Sequence, residues 1–470
     1  MESGPKPPEV QRAQEWLEAH ESDLIEDLRT MLRFESLEET AEPNAPFGKG
    51  CRAALDFALA LGVKWGMRTR DVEGYAGHAE FGDSEKLIMA LGHLDVVPVG
   101  DGWKHAPFGA QIDRGYIYAR GAEDDKGPTM AAFYAARALM ETRAELPARI
   151  RVVFGCNEES GFACVKKYFS VEETPTFGIA PDSGWPLYHA EKGIANIILR
   201  GASSQGQLRL VSLVGGKRPN IVIDKAEGVV EVAPQLLEAV RSASNEYWDK
   251  NVTFTFDGSR CTISALGKAA HGSTPFAGDS AAVRILRAIA EFAPPEQSKE
   301  YSKLLLLGHP SGVGLGIHGE DDVSHDLTAN IGIVETQNEQ FAFTINVRYP
   351  VTWTGSQLRE KCERYLEKEL PSFEIVAFDD SPPLYFPIDQ EPVTTLVDIY
   401  RQETGDHTPP GVMGGGTYAR AVPNTVSIGT GWDGDGPAHQ NDERIHVSHP
   451  LKMAKIYAHM LYGLAQAANK

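Results

Sequence analysis

Three short apolar runs in the first part of the chain are each followed, after one intervening residue, by a histidine or an acidic residue. The junctions are residues 87–91 before His93, residues 150–156 before Glu158 and Glu159, and residues 177–180 before Asp182. Apolar runs of this length are typical of buried β-strands. Since open α/β sheets bind ligands just beyond the carboxyl ends of their strands, the repeated placement predicts an α/β domain with a site at that edge.

The remaining chain divides into an inserted segment and a return to the first domain. The middle of the chain alternates strand-like and helical runs and contains no further metal-ligand motif, which predicts a separate α+β lid. His439, near the C-terminus, is a further candidate ligand for the site at the strand ends, so the C-terminal segment should rejoin the first domain. We therefore predict a catalytic α/β domain with a mixed sheet flanked by helices at residues 1–192 and 383–470, and an inserted α+β lid domain at residues 193–382.

Apolar residues at the helical period predict the main helices. These are residues 10–34, 127–140, 229–242, 280–292, 356–367 and 451–467. Further strand-like runs lie at residues 194–199, 252–256 and 341–347.

The charge of the chain argues against several classes of partner. Its 470 residues include 65 acidic and 45 basic side chains, which gives a net charge of −20. Nucleic acids and anionic membranes are bound by basic surfaces, so neither is expected as a partner. The N-terminus lacks the pattern of a secretory signal, and no run approaches the roughly 18 apolar residues of a membrane-spanning helix. Five dispersed cysteines without a Cys-x-x-Cys pair predict free thiols in a reducing, cytoplasmic compartment.

Five potential metal ligands occupy short motifs along the chain. They are His93, Asp124, Glu159, Asp182 and His439. Two imidazoles and three carboxylates are too many for one tetrahedral zinc ion, but they suit two divalent ions that share a carboxylate. Asp124 is our choice for the shared ligand, although an aspartate before a helix also suits an N-cap. Two divalent ions per chain are expected, Zn²⁺ first, with Mn²⁺ or Co²⁺ as alternatives.

Two further carboxylates adjoin these ligands. Asp95 follows His93 by two residues, where it can accept the far imidazole N–H and fix the tautomer of the ligand. Glu158 directly precedes Glu159, and neighbouring side chains of an extended segment point in opposite directions. One glutamate can then bind metal while Glu158 acts as general base, taking a proton from the attacking water and returning it to the leaving amine. The alternative for this pair is a solvated surface loop.

Motifs of other hydrolases and of nucleotide-binding proteins do not occur in the sequence. There is no His-Glu-x-x-His segment, no Gly-x-Ser-x-Gly elbow and no Walker-type loop. The segment Gly-Gly-Gly-Thr at residues 414–417 could suggest phosphate binding, but no lysine follows in register. Glycine also lets backbone amides approach a carboxylate or oxyanion closely, so we predict that Gly415, Gly416 and Thr417 contact substrate.

The motifs resemble those of the co-catalytic zinc metallopeptidase family that includes aminoacylases, carboxypeptidase G, succinyl-diaminopimelate desuccinylase and cytosolic dipeptidases. The similar segments are Gly-His-Leu-Asp-Val-Val-Pro, Gly-Ala-Glu-Asp-Asp-Lys-Gly and Asn-Glu-Glu-Ser, and the likeness runs over nearly the whole chain. Within this family the chain is most similar to PepV-type dipeptidases, which share Gly-Trp-x-x-x-Pro-Phe (residues 102–108) and Gly-Gly-Gly-Thr-Tyr (residues 414–418).

The resemblance implies a role for each matching ligand. His93 and Asp182 would hold one metal, Glu159 and His439 would hold the other, and Asp124 would bridge the two.

The resemblance also implies substrate-binding residues in the lid. His271 would stabilise the tetrahedral oxyanion, Arg348 would bind the substrate carboxylate through its guanidinium, and Asn220 would face the substrate. The alternative for each is ordinary hydrogen bonding at the lid surface. An enlarged lid that supplies the histidine within one chain implies a monomer, and a homodimer through the lid is the alternative.

The predicted function is a cytoplasmic two-metal dipeptidase that hydrolyses unblocked dipeptides, Xaa-His or β-Ala-Xaa among them. An amidase for N-acyl amino acids, such as an aminoacylase or a desuccinylase, is the alternative of the same class, since the metal ligands do not separate the two. A binding protein without catalysis is the alternative of another class. Glu158 and His271 argue against it, because binding alone requires neither.

Overall fold

The structure is a computed structural model that describes residues 5–202, 205–338 and 340–469. The helices in these segments are α1 Pro8–Ala19, α2 Glu21–Leu32, α3 Lys49–Lys64, α4 Lys126–Glu141, α5 Ala163–Tyr168, α6 Pro234–Asn245, α7 Ala281–Phe292, α8 Pro295–Leu307, α9 Gly355–Glu369, α10 Val393–Thr404 and α11 His449–Ala467. The strands are β1 Arg68–Val72, β2 Ala76–Phe81, β3 Leu87–His93, β4 Gln111–Asp113, β5 Tyr116–Tyr118, β6 Arg149–Gly155, β7 Phe177–Ser183, β8 Leu187–Glu191, β9 Gly193–Gly201, β10 Leu208–Gly215, β11 Lys225–Val232, β12 Val252–Asp257, β13 Arg260–Leu266, β14 Thr328–Gln337, β15 Gln340–Tyr349, β16 Phe373–Ser381, β17 Leu384–Tyr385, β18 Gly411–Met413, β19 Thr425–Gly429 and β20 Arg444–His446.

The chain forms two units whose segments alternate along the sequence. The first comprises Met1–His189, Phe386–Gly411 and Gly416–Lys470, and the second comprises Ala190–Tyr385 and Val412–Gly415. The sequence predicted crossings after residues 192 and 382 and placed the whole glycine run in the catalytic domain. Val412–Gly415 belong instead to the second unit, where the backbone N–H of Lys192 donates to the carbonyl of Met413 at 2.9 Å.

The first unit is built on a mixed sheet with the strand order β1-β2-β6-β3-β7-β19-β8. The central strands β6, β3, β7 and β19 are parallel neighbours, whereas the flanking pairs are antiparallel. All seven residues of β3 are buried, as expected for a parallel strand covered on both faces. A small antiparallel sheet of β20, β5 and β4 lies apart from it. This confirms the predicted α/β fold with a mixed sheet.

Helices of the first unit pack against this sheet and against one another. Helices α4 and α11 contact each other and β3, α1 and α2 pack on α4, and α3 packs on β1 and β2. Helix α4 begins at Lys126 and carries Pro128 in its first turn, where proline costs no intrahelical hydrogen bond. None of the helices in the described segments of either unit has the length and apolar composition that a membrane crossing requires.

The second unit is built on an eight-stranded sheet with the order β12-β13-β11-β10-β14-β15-β9-β16. Every pair of neighbours in it is antiparallel. Strand β9 alternates buried and partly exposed residues, which is typical of a sheet with one face on a core. Helices α7 and α8 pack together, α7 also contacts β10, β11 and β13, and α9 contacts β16.

Two predicted helices differ from the observed elements. Residues 10–34 form two helices, α1 and α2, because the backbone leaves helical values at His20 (φ −117°, ψ 17°). Residues 229–242 contain the end of strand β11 and most of α6. The β-branched residues before Ala233 pair in the sheet, and Pro234 then begins the helix.

Candidate functional site

The predicted ligands meet at one edge of the first unit's sheet. His93 is the last residue of β3, Asp182 is the penultimate residue of β7, and Glu158 and Glu159 follow the end of β6. Strand β3 pairs in parallel with both β6 and β7, so the three carboxyl ends are adjacent. The structure thus brings together the side chains that follow the three apolar runs.

Asp124 lies between two histidines that are far apart in the sequence. One carboxylate oxygen, Oδ1, is 3.1 Å from His93 Nε2, and the other, Oδ2, is 3.0 Å from His439 Nε2. His439 Nε2 is also 3.1 Å from Glu159 Oε1. A carboxylate that turns one oxygen to each of two ligand groups has the arrangement that a bridging ligand needs.

Two overlapping groups of side chains offer ligand atoms within 4.8 Å of one another. The first consists of His93, Asp124 and Glu159, and the second consists of His93, Glu158 and Asp182. Every one of the five predicted ligands therefore lies in this cluster, since His439 contacts Asp124 and Glu159. Glu158 lies there as well, so distance alone does not separate a ligand from a base in this pair.

The orientation of His93 is fixed mainly by the backbone of Asp95. The imidazole Nδ1 is 2.9 Å from the Asp95 carbonyl oxygen, to which it donates, and this leaves Nε2 to face Asp124. The Asp95 carboxylate is 3.6 Å from the same nitrogen. It instead accepts the backbone N–H groups of Glu158 and Glu159, each at 3.1 Å. Asp95 thus connects the end of β3 to the turn that carries both glutamates.

The two glutamates occupy a turn and not the extended segment that the sequence suggested. The backbone N–H of Phe162 donates to the Asn157 carbonyl at 2.9 Å and closes this turn. Strand β6 ends at Gly155, where a side chain would collide with Tyr418, whose hydroxyl lies 2.2 Å from the position of a Cβ.

Three residues that sequence reasoning missed support Asp124 and His93. Asp125 Oδ2 accepts the backbone N–H of His93 at 3.0 Å. Glu443 Oε1 accepts the backbone N–H of Asp124 at 3.2 Å, and Glu443 Oε2 pairs with Arg120 at 2.8 Å. The only local signals were that Asp125 belongs to the acidic run, that Arg120 lies shortly before this run, and that Glu443 follows His439 closely.

The electrostatics of the cluster indicate that it is built for cations. Burial would lower the pKa of His93, but hydrogen bonds with Asp124 and Asp95 raise it well above its usual value. Hydrogen bonds with Asp124 and Glu159 raise the pKa of His439 to about 10. Burial raises the pKa of Asp182 well above its usual range. So many carboxylates around two imidazoles need positive charge, and this mixed nitrogen and oxygen donor set suits divalent zinc, manganese or cobalt.

The predicted lid residues cluster within the second unit. The backbone N–H of Gly272, next to His271, donates to the Asn220 carbonyl at 2.7 Å. Arg348 donates through Nε to Asn346 Oδ1 at 2.9 Å and through a terminal nitrogen to the Gly414 carbonyl at 2.7 Å.

The imidazole of His271 is exposed, and its Nδ1 accepts the backbone N–H of Ser273 at 3.2 Å. With Nδ1 as the acceptor, a neutral His271 ring carries its proton on Nε2.

The glycine run is divided between the two units. Gly415 belongs to the second unit, and Gly416 and Thr417 belong to the first. A Cβ on Gly416 would lie 2.4 Å from a guanidinium nitrogen of Arg420, so a side chain at this position would displace the Arg420 side chain. The Thr417 hydroxyl accepts the backbone N–H of Ala419 at 3.1 Å and begins a short 3₁₀ turn. Thr417 therefore has a structural role in addition to the predicted contact with substrate.

Comparison with known proteins gives the family. The sequence model of peptidase family M20/M25/M40 matches residues 89–463. The "Putative dipeptidase YtjP" of Bacillus subtilis (strain 168) is 37% identical over 457 residues, which cover 94% of this chain and 97% of that protein. A relative from Staphylococcus epidermidis that bears the same kind of name is 33% identical, over 95% of this chain and 97% of its own length.

Two solved structures share the fold. Human carnosine dipeptidase 1 matches with a TM-score of 0.57 and 15% identity over 98% of this chain and 100% of that one. The di-peptidase Dug1p from Saccharomyces cerevisiae matches with a TM-score of 0.56 and 14% identity over 97% and 98%. The family model spans most of the chain and the relatives match over nearly their whole length. The chain therefore belongs to peptidase family M20/M25/M40 and is a hydrolase that acts on peptide bonds.

Proposed function

We propose that this protein is a two-metal dipeptidase that hydrolyses dipeptides with a free N-terminus. The observation that carries the proposal is Asp124, whose two carboxylate oxygens face His93 and His439 separately. The names of the close relatives point the same way.

The cluster would hold two divalent ions, with Zn²⁺ as the metal that its donors suit first. His93 and Asp182 would bind one ion, Glu159 and His439 the other, and Asp124 both. When bound, such ions polarise a carbonyl oxygen and lower the pKa of water. The chain's own residues supply the remaining chemistry.

Glu158 is the proposed general base. Its backbone N–H is held by the Asp95 carboxylate, and its side chain lies within the same cluster as His93 and Asp182. From there its carboxylate can take a proton from the attacking water and return it to the leaving amine. Glu158 is half-buried, which limits the access of bulk water to that proton.

The second unit contributes the proposed substrate contacts. The Nε2–H of His271 would donate to the oxyanion as it forms, since its Nδ1 is already an acceptor. Arg348 and the backbone of Gly415 and Gly416 would bind the substrate carboxylate, and Asn220 would stand beside the oxyanion histidine. The contact of Arg348 with the Gly414 carbonyl supports this grouping.

A pair of substrates tests the proposal. Metal-reconstituted protein is incubated with a free dipeptide and with its N-acetylated counterpart, and product is measured by chromatography. Cleavage of the free dipeptide alone supports the dipeptidase. Cleavage of the acetylated compound alone moves the assignment to an amidase for N-acyl amino acids, and cleavage of neither by the metal-loaded protein refutes both.

Compartment and assembly remain predictions from the sequence. All five cysteines are buried and unpaired by disulfide, which is compatible with the predicted cytoplasmic location. A monomer is the expected state, and size measurement in solution distinguishes it from a homodimer through the lid.

A further inference from the structure

A cavity of about 760 Å³ adjoins the proposed metal ligands within the first unit. Three lining residues are chain neighbours of ligands: Glu123 precedes Asp124, Ser183 follows Asp182, and Ala438 precedes His439. Neighbouring Cα atoms are about 3.8 Å apart, so the cavity begins one residue from three of the five ligands. The cavity is therefore within reach of a substrate held at the proposed ligands.

One wall of the cavity is aromatic. The Trp185 ring stacks on Tyr400 at a centroid distance of 5.0 Å and on Trp432 at 5.1 Å, with interplanar angles of 15° and 23°. Lys452 Nζ already lies 3.7 Å from the Trp432 ring centroid. Such rings offer broad apolar contact, and their faces attract cations.

The cavity is acidic, and one of its carboxylates has an open acceptor. Both carboxylate oxygens of Asp435 already have hydrogen-bond partners, namely the backbone N–H groups of Trp432 and His446 and the ring of His449. Asp406 accepts from the Tyr400 hydroxyl and from Thr408.

Glu123 differs from these two carboxylates. Its Oε1 accepts the Thr430 hydroxyl at 3.1 Å, whereas its Oε2 has no hydrogen-bond partner among the residues that the structure describes. Asp433 also lines the cavity but is exposed to solvent. Glu123 is therefore the sheltered carboxylate with capacity for a ligand's cation.

We propose that this cavity binds the N-terminal residue of the substrate, with Glu123 accepting the free α-ammonium and the wall of Trp185, Trp432 and Tyr400 holding the side chain. The inference rests on the proposed dipeptidase function. In a dipeptide the ammonium nitrogen is only two bonds from the scissile carbonyl carbon, so a carboxylate next to Asp124 in the chain is suitably near. Glu123 would thus be the specificity residue that selects unblocked dipeptides over N-acyl compounds.

The test pairs Glu123→Gln with removal of the substrate's amine. Phe-Ala and 3-phenylpropionyl-Ala differ only in the α-ammonium, and kcat/KM is measured for both with wild-type and variant holoenzyme. Loss of a charge-assisted hydrogen bond should lower kcat/KM for Phe-Ala by roughly 10- to 100-fold, chiefly through KM. The value for 3-phenylpropionyl-Ala should change less than about twofold, because that substrate lacks the partner of Glu123.

The matched control is Asp433→Asn, which removes an exposed carboxylate from the same cavity. This variant should change kcat/KM for both substrates by less than about threefold, because a solvated charge interacts weakly. Metal content is measured for each variant. Equal losses on both substrates, or no loss for Phe-Ala, would overturn the assignment of Glu123. A Glu123→Gln protein with reduced metal would instead show that this residue acts through Asp124, which also overturns it.

The aromatic wall is tested separately with Trp432→Ala. The variant should lower kcat/KM for Phe-Ala by about tenfold relative to Gly-Ala, since only the larger side chain reaches the wall. An unchanged ratio removes the wall from the proposal.

Failure of the dipeptidase function has a different signature. In that case wild-type holoenzyme cleaves neither Phe-Ala nor Gly-Ala, whereas failure of the Glu123 assignment leaves wild-type turnover intact.

Discussion

Replacing Glu443 with alanine should destabilise the first unit by about 3–5 kcal/mol. Glu443 and Arg120 form an ion pair at 2.8 Å, and their side chains are 1% and 2% exposed. Removing one partner of such a pair leaves the other charge buried and uncompensated, which costs about 3–5 kcal/mol. The backbone N–H groups of Glu123 and Asp124, at 3.0 and 3.2 Å from Glu443 Oε1, would also lose their acceptor. The same variant should therefore bind metal less tightly, because Asp124 loses a support.

The assay is urea-induced unfolding followed by circular dichroism, together with metal analysis after dialysis. Glu26→Ala serves as the matched control, because Glu26 pairs with Arg29 at 2.7 Å but is 63% exposed. An exposed pair contributes about 0–1 kcal/mol, so this control should unfold close to the wild type. Glu443→Gln keeps an acceptor oxygen and should fall between the two. A loss below about 1 kcal/mol for Glu443→Ala would refute the reasoning from burial.

Three further predictions concern residues of the proposed site and its substrate contacts. Glu158→Ala should abolish turnover while metal content stays near two ions per chain; unchanged turnover would remove Glu158 as the base. His271→Ala should lower kcat far more than it raises KM, and equal changes in both would contradict the oxyanion role. In protein stripped with a chelator, the raised pKa of His439 contributes stability that is fully present below pH 6.5 and is lost as pH rises through about 10. Melting temperatures of stripped wild type and His439→Ala should therefore converge between those pH values, and a constant difference would contradict this link to Asp124 and Glu159.

The sequence predicted the candidate site because its signals are local. The apolar runs ending at His93 and Asp182 mark strands from composition and length alone, and those strands are β3 and β7. The histidine and the acidic residue at their ends are evident from the sequence, whatever fold the chain adopts. Short motifs of this kind also indicated the family, and the match to the family model and to the curated relatives confirms it.

Local patterns were weaker where two elements meet. The run of residues 229–242 contains apolar residues that fit a helix, but its first part pairs with β10 and β13 as strand β11. Neighbouring strands decided this, because pairing in a sheet can override the helical preference of a short segment.

The sequence by itself determined which side chains could bind metal and that strand ends would present them. Only the tertiary structure decided how they combine. It set Asp124 between His93 and His439, joined Arg120 to a carboxylate 323 residues away, and placed Val412–Gly415 in the second unit. The physical reason is that such contacts depend on which distant segments pack together, and that is fixed by the burial and pairing of whole strands and helices. A local pattern shows the chemistry of each residue, whereas the geometry between residues exists only after the chain has folded.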